Sequence, residues 1–367
     1  MRISILNDTS KNSNWGCAAT VHGLRQSLAD VFNPSVMDSI ELQPLPYKKI
    51  KLLRNRSVSA VARCLADPQH TTGQLATKLE KLNFKNTDGP LPDLLVLNGE
   101  GGIHSKSGHL MRFLGVAKLF KELGARVSAV NQSVDLDVDS REAKILGIVY
   151  RALDFVSVRE PISLRLLQQI GVPDAVLVPD AAFSVTLATE DEKNEVASRL
   201  ELPERYVCLT GSSDITKRSG NIFLKVYECL KQIAGLPVVM MASTKTDKAL
   251  AKVLQAHDPS VKVMTDAYDY RSALAVISGA DLLVGGRFHP TIFAAREGTP
   301  VVPFKGNTHK MEGLMELLSY PIDPIGWDNL ADCETQIKHV LSDHQALGQL
   351  LAVNSEQRAD EVIRLAV

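Results

Sequence analysis

The segment DLLVGGRFHP, residues 281–290, shows the pattern that decides the fold: an apolar strand, two glycines and the start of a helix. Leu282 to Val284 are apolar and predict a short buried strand. Pro290 suits the first turn of a helix, where its missing amide hydrogen has no intrahelical partner to lose. Similar strand, turn and helix patterns follow one another along the chain. This alternation predicts parallel βαβ units.

The predicted strands and helices fall into two groups, separated by the polar stretch 189–205 with Pro203. We predict an α/β protein of two Rossmann-like domains facing across a cleft, at 1–188 and 189–329, followed by a helical tail at 330–367. The predicted strands are 2–7, 93–98, 126–132, 155–158, 176–178, 206–210, 237–241, 261–264, 281–284 and 300–303. The predicted helices include 18–30, 109–123, 221–233 and 271–278, one ending at Tyr150, one opening at Pro161 and one starting near Pro290.

Composition narrows the class of protein. The chain has 367 residues, 45% of them hydrophobic, which is enough for about two domains with buried cores. Lys and Arg number 41 against 42 for Asp and Glu, so no excess of positive charge favours a nucleic-acid partner. No apolar stretch reaches the roughly 18 residues of a membrane span, and polar residues 7–14 interrupt any signal peptide. We expect a cytoplasmic protein, with peripheral contact at the inner membrane face left open.

Cysteines and basic residues add two further expectations. The five cysteines are widely spaced without a CxxC pair, so we expect neither disulfides nor zinc, and no other metal-ligand spacing occurs. Residues 47–56 contain five Lys and Arg side chains. They predict either a patch facing the acceptor or a membrane, or a solvated loop.

Loops that follow strands are the first candidates for function, because ligands of open parallel sheets bind at the carboxyl ends of the strands. The loop NGEGGIH, residues 98–104, follows a buried strand. Gly101 and Gly102 allow close approach of a ligand to the backbone. Glu100 lies among these glycines and is either a general base or sugar ligand, or a solvated turn residue.

Two further loops carry polar candidates. Arg159 ends one predicted strand and could bind a carboxylate or phosphate with two hydrogen bonds, or pair internally with Glu160 or Asp180. Asp180 ends the next strand and either orients Arg159 or the histidine of the second half, or caps a helix. Asn14 precedes the first helix and either contributes to an anion or sugar site or caps the helix.

The most specific loop is 284–290, where Gly286, Arg287 and His289 meet the start of a helix. A helix N-terminus favours anions, so a cation and an imidazole here point to an anionic ligand. Lys310 lies in the next loop of this kind and could reach the same ligand. We therefore expect Arg287, His289 and Lys310 to converge on one anion.

Together these motifs resemble the polysaccharide pyruvyl transferase family. The matching elements are residues 98–102, the run 157–163 followed by Gly171 and 178–180, and the segment 286–289 continuing through 298–300 to Lys310 and Gly313. The ordered set spans about residues 3–320.

The resemblance implies a fold similar to the GT-B glycosyltransferases and transfer of pyruvate from phosphoenolpyruvate to a sugar as a ketal. It implies Arg159, Arg287 and His289 as donor-site residues. We expect the acceptor, a sugar or glycan that is free or lipid-linked, on the 1–188 side, and the donor on the 189–329 side.

The chemistry of ketal formation suggests a role for each residue. The enol phosphate must be protonated at its methylene carbon, its anionic groups need cations, and the attacking hydroxyl needs a base. We assign His289 as general acid, Arg159 and Arg287 as anion clamps, Lys310 as a helper on phosphate, and Glu100 as base. No cofactor or metal is expected.

Two alternatives remain open at this point. A GT-B glycosyltransferase would place a nucleotide-sugar diphosphate against Arg287, Lys310 and the same helix N-terminus. A non-catalytic member of the family would bind a glycan or help to assemble a synthesis complex. Fold alone does not separate these possibilities.

Overall fold

A computed structural model describes residues 1–40, 51–82, 84, 90–105, 107, 109–215 and 219–362, with only the backbone for residues 51–57. Within these residues the chain forms a six-stranded and a five-stranded parallel β-sheet with helices between the strands. The predicted pair of Rossmann-like α/β folds is confirmed.

The first sheet has the strand order β2-β1-β3-β4-β5-β6. Its central strands β3 and β4 are almost entirely buried, as expected when helices cover both faces of a parallel sheet, and β3 is mostly apolar. The strands are β1 (Arg2–Leu6), β2 (Val36–Ile40), β3 (Leu94–Asn98), β4 (Arg126–Gln132), β5 (Phe155–Val158) and β6 (Val176–Leu177). The helices are α1 (Trp15–Phe32), α2 (Lys51–Ala66), α3 (Thr72–Glu80), α4 (Leu110–Glu122), α5 (Arg141–Tyr150) and α6 (Pro161–Gln169).

The second sheet has the order β11-β10-β7-β8-β9. Its strands are β7 (Val207–Ser212), β8 (Val238–Ala242), β9 (Lys262–Thr265), β10 (Leu282–Gly286) and β11 (Val301–Pro303). A 3-10 helix (Ala181–Ser184) comes before them. The α-helices are α7 (Glu190–Leu200), α8 (Gly220–Ala234), α9 (Lys245–His257), α10 (Tyr270–Ser278), α11 (Phe288–Glu297), α12 (Lys310–Leu317), α13 (Leu330–Ser342) and α14 (His344–Val362).

The chain divides into two compact units. Among the described residues, unit 1 comprises Met1–Thr9 and Arg25–Asp180, and unit 2 comprises Ser10–Leu24 and Ala181–Val362. Unit 2 therefore includes the first part of α1. The domain limits predicted from the sequence, at 188 and 329, remain predictions.

Several elements differ from the sequence-based expectation. Strand β2 and helices α2 and α3 were not predicted, because β2 is a mixed polar segment at the sheet edge with little apolar pattern. Helix α11 begins at Phe288 instead of near Pro290, and α1 begins at Trp15 instead of Ala18. In the basic segment 47–56, residues 47–50 lie outside the described residues, and the backbone from Lys51 onward is helical.

The local sequence explains where several helices begin. Thr189 and Glu192 form a capping box at α7, in which each side chain bonds the backbone N–H of the other residue. Thr244 and Asp247 do the same at α9. Glu160 caps α6, and Pro161 occupies its first turn.

In the part of the chain that the structure describes, no helix is long and apolar enough to cross a membrane. The five cysteines are free thiols.

Candidate active site

Each sheet has a point where the strand order reverses, and ligands of such folds bind at the carboxyl ends of the strands there. In the first sheet this point lies between β1 and β3. Asn7, just past β1, donates from Nδ2 to the Asn98 carbonyl at 2.8 Å, and Asn98 donates back to the Asn7 carbonyl at 3.1 Å. The start of the loop after β1 and the start of the glycine-rich loop after β3 are thus held together.

The glycine-rich loop after β3 lies at this point. Gly101 has φ +66°, a conformation that favours glycine, and open space surrounds the position of a Cβ. A Cβ on Gly102 would lie 2.2 Å from the Phe113 ring, so this position requires glycine. Glu100 is half-buried, and Thr9 Oγ1 donates to its carboxylate at 3.5 Å. The loop thus combines accessible backbone with a carboxylate, as predicted for a sugar or proton-transfer site.

Arg159 is buried at the end of β5 in a pair with Asp180. Its Nη1 donates to Asp180 Oδ2 at 2.7 Å, and its Nε donates to Ser133 Oγ at 3.0 Å. The side chains are only 4% and 0% exposed. The internal pairing that the sequence left open is present, with Asp180 as the partner. Glu160 instead caps α6 by accepting from the Ser163 amide at 3.0 Å.

Arg287 occupies the corresponding place in the second sheet, where the strand order reverses between β7 and β10. It is the N-cap residue of α11. Its Nη2 donates to Asp247 Oδ1 at 2.6 Å and to Thr244 Oγ1 at 2.9 Å, and its Nε donates to Asp247 Oδ1 at 3.2 Å. Asp247 is fully buried, whereas the Arg287 side chain keeps 17% of its surface exposed. The capping box of α9 therefore orients one edge of the guanidinium and leaves another edge accessible.

The two glycines before Arg287 shape the backbone at this point. The register between β10 and β7 shifts between Val284 and Gly286, and Gly285 has φ +143°. A Cβ on Gly285 would lie 2.1 Å from Thr210 Oγ1, and one on Gly286 would lie 2.5 Å from Ser212 Cβ. The irregularity brings the Arg287 backbone away from the regular ladder, as β-bulges near functional sites do.

His289 lies in the first turn of α11 and is only 9% exposed. Its Nε2 is 3.0 Å from Thr20 Oγ1 on α1. A Cβ on Gly16 would lie 2.0 Å from His289 Nδ1, so the imidazole packs directly on the glycine backbone. The Thr20 hydroxyl and Gly16 thus fix the position of the ring that the sequence predicts as an acid.

Lys310 and Asn14 also begin helices of unit 2. Lys310 is the first residue of α12 and is half-buried. The loop before Lys310 is held by Asn307, whose backbone N–H donates to Ser213 Oγ at 3.1 Å in the loop after β7. Asn14 Oδ1 accepts a hydrogen bond from the Gly16 backbone N–H at 3.1 Å, so the structure shows the helix cap that the sequence left open for Asn14.

The sequence gives no direct sign of the side chains that hold Arg287 and His289. Thr244 and Asp247 could have been found from the capping pattern at the start of an amphipathic helix, but not as partners of Arg287, 43 and 40 residues away in sequence. Thr20 and Gly16 carry no local signal for His289. Among the described residues, no group of three or more His, Cys, Asp or Glu side chains could hold a metal ion.

Solved structures with this fold include UDP-GlcNAc 2-epimerases and glycosyltransferases, and they define the fold as GT-B. The UDP-GlcNAc 2-epimerase of Methanocaldococcus jannaschii, in complex with UDP-GlcNAc and UDP, is 15% identical with a TM-score of 0.58, covering 97% of this chain and 100% of its own. The UDP-GlcNAc 2-epimerase of Neisseria meningitidis, bound to UDP-GlcNAc, is 10% identical with a TM-score of 0.57 and coverages of 99% and 100%. Anabaena HepE, in complex with UDP and glucose, is 11% identical with a TM-score of 0.56 and coverages of 100% and 97%.

At such low identity these structures establish the fold alone. A family model for polysaccharide pyruvyl transferase matches residues 14–307, which is most of the chain. The chain belongs to the polysaccharide pyruvyl transferase family. No curated protein sequence is detectably similar to it.

Proposed function

We propose that this protein transfers a pyruvyl group from phosphoenolpyruvate to two hydroxyls of a sugar, forming a ketal and releasing phosphate. The acceptor sugar belongs to a polysaccharide or its precursor, free or lipid-linked, and the reaction takes place in the cytoplasm. The observation that carries the proposal is Arg287, oriented by buried Asp247 at the N-terminus of α11 with His289 in the same turn. Membership of the family supports the reaction class.

Arg287 suits binding of the anionic donor because neighbouring side chains orient its guanidinium group before any ligand binds. Asp247 and Thr244 take its Nε and Nη2 groups, and Nη1 makes no hydrogen bond within the described residues. A phosphate or carboxylate at the N-terminus of α11 would meet this guanidinium edge together with the positive end of the helix dipole. Gly286 packs closely on Ser212 and so would position Arg287 for the ligand, and Lys310 would neutralise further phosphate charge.

The proposed reaction starts with proton transfer to carbon. His289 gives a proton to the methylene carbon of the enol phosphate, which becomes a methyl group and leaves a cationic carbon at C2. One acceptor hydroxyl attacks C2 and loses its proton to Glu100. The second hydroxyl attacks C2 as the phosphate leaves with the C2–O bond electrons, and its proton goes to the phosphate. Arg159 and Arg287 stabilise the anionic groups throughout.

The remaining predicted residues have supporting roles in this proposal. Asp180 keeps Arg159 in place, since its carboxylate is the partner of that guanidinium at 2.7 Å. Gly101 and Gly102 present backbone to the acceptor, and Asn14 shapes the start of α1 next to Gly16. Thr20, which contacts His289 Nε2, holds the imidazole in the orientation required for proton transfer.

A second candidate function is glycosyl transfer from a nucleotide sugar. It is favoured by the solved neighbours, which were crystallised with UDP or UDP-GlcNAc. In that case the diphosphate would bind at the N-terminus of α11 and contact Arg287. A non-catalytic glycan-binding role is disfavoured, since carbohydrate alone does not need two oriented guanidinium groups.

A thermal-shift titration with phosphoenolpyruvate, and separately with UDP-glucose and UDP-GlcNAc, tests the proposal. A ligand that binds only the native state, at a concentration of about a hundred times its Kd, raises the free energy of unfolding by about 2.7 kcal/mol. We expect phosphoenolpyruvate to raise the melting temperature of the wild type by several degrees, and Arg287→Ala to abolish the shift.

Arg205→Ala is the matched control. Arg205 is 71% exposed and pairs with Asp281, just before the amino end of the same strand β10. This variant should keep the phosphoenolpyruvate response. Stabilisation by a UDP-sugar alone would overturn pyruvyl transfer in favour of glycosyl transfer.

A further inference from the structure

Unit 2 contains a cavity of about 410 Å³ that the proposed donor chemistry does not use. Its volume lies within the roughly 300–1,000 Å³ range of small-molecule sites. It lies where the loop between β9 and α10 meets the start of α1. Three aromatic side chains and several polar groups line it, among them Trp15, Tyr268, Tyr270, Asn12, Asp266 and Asp269.

The aromatic wall of this cavity is supported by contacts with neighbouring residues. Trp15 is 2% exposed, and its Nε1 donates to the Tyr268 carbonyl at 2.8 Å. The Arg199 guanidinium lies 4.8 Å from the centre of the Tyr268 ring. The ring of Tyr270 is 5.7 Å from that of His22. Rings fixed in this way offer an apolar surface at little cost in side-chain entropy.

The polar groups of the cavity include an oriented carboxylate. Lys248 Nζ donates to both oxygens of Asp266 at 3.0 Å, and this interaction holds the pKa of Asp266 below its usual value. Asp269 accepts hydrogen bonds from Ser272 at the start of α10. Lys248 neutralises Asp266, and Lys11 and His22 also line the cavity, so the negative charge of Asp269 is largely balanced. A lining of nearly balanced charge with carboxylate oxygens that accept hydrogen bonds from hydroxyls suits a neutral polyhydroxylated ring.

The cavity shares its supporting residues with the donor site. Trp15 lines the cavity, and Gly16, the next residue, packs on His289. On α9, Lys248 holds Asp266 of the cavity, and Asp247, the preceding residue, holds Arg287. Two independent pairs of adjacent residues thus connect this cavity to the two groups that carry the proposed chemistry.

We propose that this cavity is an acceptor subsite that binds a pyranose ring, stacked on the tyrosines and hydrogen-bonded to Asp266. The inference rests on the proposed pyruvyl transfer and deepens it by locating the sugar. Part of the wall comes from the sequence segment that we predicted to carry the acceptor side, namely Ser10, Lys11, Asn12, Ser13 and Trp15.

The test is saturation-transfer NMR with a defined set of probes. The probes are the methyl pyranosides of glucose, galactose, mannose, N-acetylglucosamine and N-acetylmannosamine, each measured alone and in competition with UDP. Two variants designed to weaken binding in the cavity are compared with the wild type. Tyr268→Ala removes one ring while keeping the carbonyl that binds Trp15. Ala267→Trp fills the cavity from an exposed lining position and should not disturb the core.

We expect at least one pyranoside to show saturation transfer with the wild type and with Tyr268→Phe, which keeps the ring. The Kd obtained by titration should rise about tenfold or more in Tyr268→Ala and Ala267→Trp, the equivalent of ~1.4 kcal/mol. The proposal would be overturned if no pyranoside gave a signal, or if neither Tyr268→Ala nor Ala267→Trp reduced it. It would also be overturned if only UDP displaced the bound pyranoside.

The phosphoenolpyruvate thermal shift, measured on the same proteins, separates the two proposals. Ala267→Trp should keep this shift, and Arg287→Ala should lose it while still binding the pyranoside. Pyranoside binding in the cavity without any phosphoenolpyruvate shift would leave the sugar subsite standing and overturn the donor. The opposite result would overturn the subsite alone.

Discussion

At the scale of single residues, both predicted arginines depend on a buried carboxylate. Asp180 holds Arg159, and Asp247 holds Arg287, and both carboxylates are fully buried. A guanidinium held along one edge presents its other N–H groups in a fixed direction, which the flexible ammonium of lysine cannot reproduce. The environments differ, since Arg159 is 4% exposed and Arg287 is 17% exposed. Arg287 is therefore the better placed of the two to meet a ligand from solvent.

Replacing Gly16 with alanine tests the packing of His289. The new methyl group would lie 2.0 Å from His289 Nδ1, so the ring or α1 must move. We expect Gly16→Ala to lower the free energy of unfolding by about 1–3 kcal/mol, as overpacking does. We also expect it to reduce turnover. Urea unfolding and a phosphate-release assay measure the two effects.

Gly73→Ala is the control for that change. Gly73 also lies early in a helix, but no atom lies within 4 Å of the position of its Cβ. Alanine is the better helix former by up to about 1 kcal/mol, so this variant should be as stable as the wild type or more so. Equal stability of the two variants would contradict the packing described for His289.

At the scale of elements, helices α7 and α10 are joined by one bidentate ion pair. Arg271 of α10 donates to both carboxylate oxygens of Glu192 on α7, at 2.8 Å and 2.6 Å. It also bonds the Thr186 and Leu187 carbonyls of the segment before α7. Arg271 thereby satisfies backbone groups that have no strand or helix partner.

This pair predicts a pH dependence of stability. The hydrogen bonds from Arg271 lower the pKa of Glu192 from 4.5 to about 2, although burial opposes the shift. A lowered folded-state pKa adds stability above pH 4.5, and that stability is lost as the pH falls towards 2. Glu192→Gln should cost on the order of 1 kcal/mol near neutral pH, because solvent screens this partly exposed pair. The cost should disappear in acid.

Urea midpoints of wild type and Glu192→Gln at several pH values measure this difference. Glutamine retains the capping box with Thr189, so the comparison isolates the charge. Glu190→Gln serves as the exposed control, because Glu190 is 80% exposed and pairs only with Lys193 among the described contacts. A cost for Glu192→Gln that is the same at low and neutral pH would contradict the role of the ion pair.

At the scale of the whole molecule, the last described helix completes the core of unit 2. Helix α14 packs on α11 and on the 3-10 helix. Ser355 Oγ donates to the Ala295 carbonyl at 3.0 Å, and Asn354 donates to the Leu318 carbonyl at 2.6 Å. A Cβ on Gly348 would lie 2.4 Å from the Gly298 carbonyl oxygen, so α14 meets the end of α11 at backbone distance.

Ending the chain after Ser342 should therefore destabilise unit 2. Both tryptophans of the protein, Trp15 and Trp327, belong to this unit, so their fluorescence reports on it. We expect the truncated chain to have red-shifted tryptophan emission and to bind the dye ANS, because the apolar side of α11 loses its cover. Val353→Ala, at a 54% exposed position on α14, is the control and should behave like the wild type. Native emission from the truncated chain would contradict this account.

The sequence by itself determined the fold class and most strands, because a parallel strand buried on both faces is a continuous apolar run. Strand β4, at Arg126–Gln132, and strand β5, at Phe155–Val158, coincide with their predicted limits. It also singled out Arg287 and His289, since a cation and an imidazole after two glycines form a local pattern. Strand β2 escaped prediction, because an edge strand with polar positions lacks such a run.

Only the tertiary structure decided which side chains hold Arg287 and His289 and which groups surround them. Thr20 and His289 are 269 positions apart, and Trp15 and Tyr268 are 253 apart. Contacts at such separations leave no periodicity or spacing in the chain, because they arise when segments far apart in the sequence meet in the folded protein. For the same reason, the grouping of Ser10–Leu24 with unit 2, and with it the proposed sugar cavity, could be read only from the folded chain.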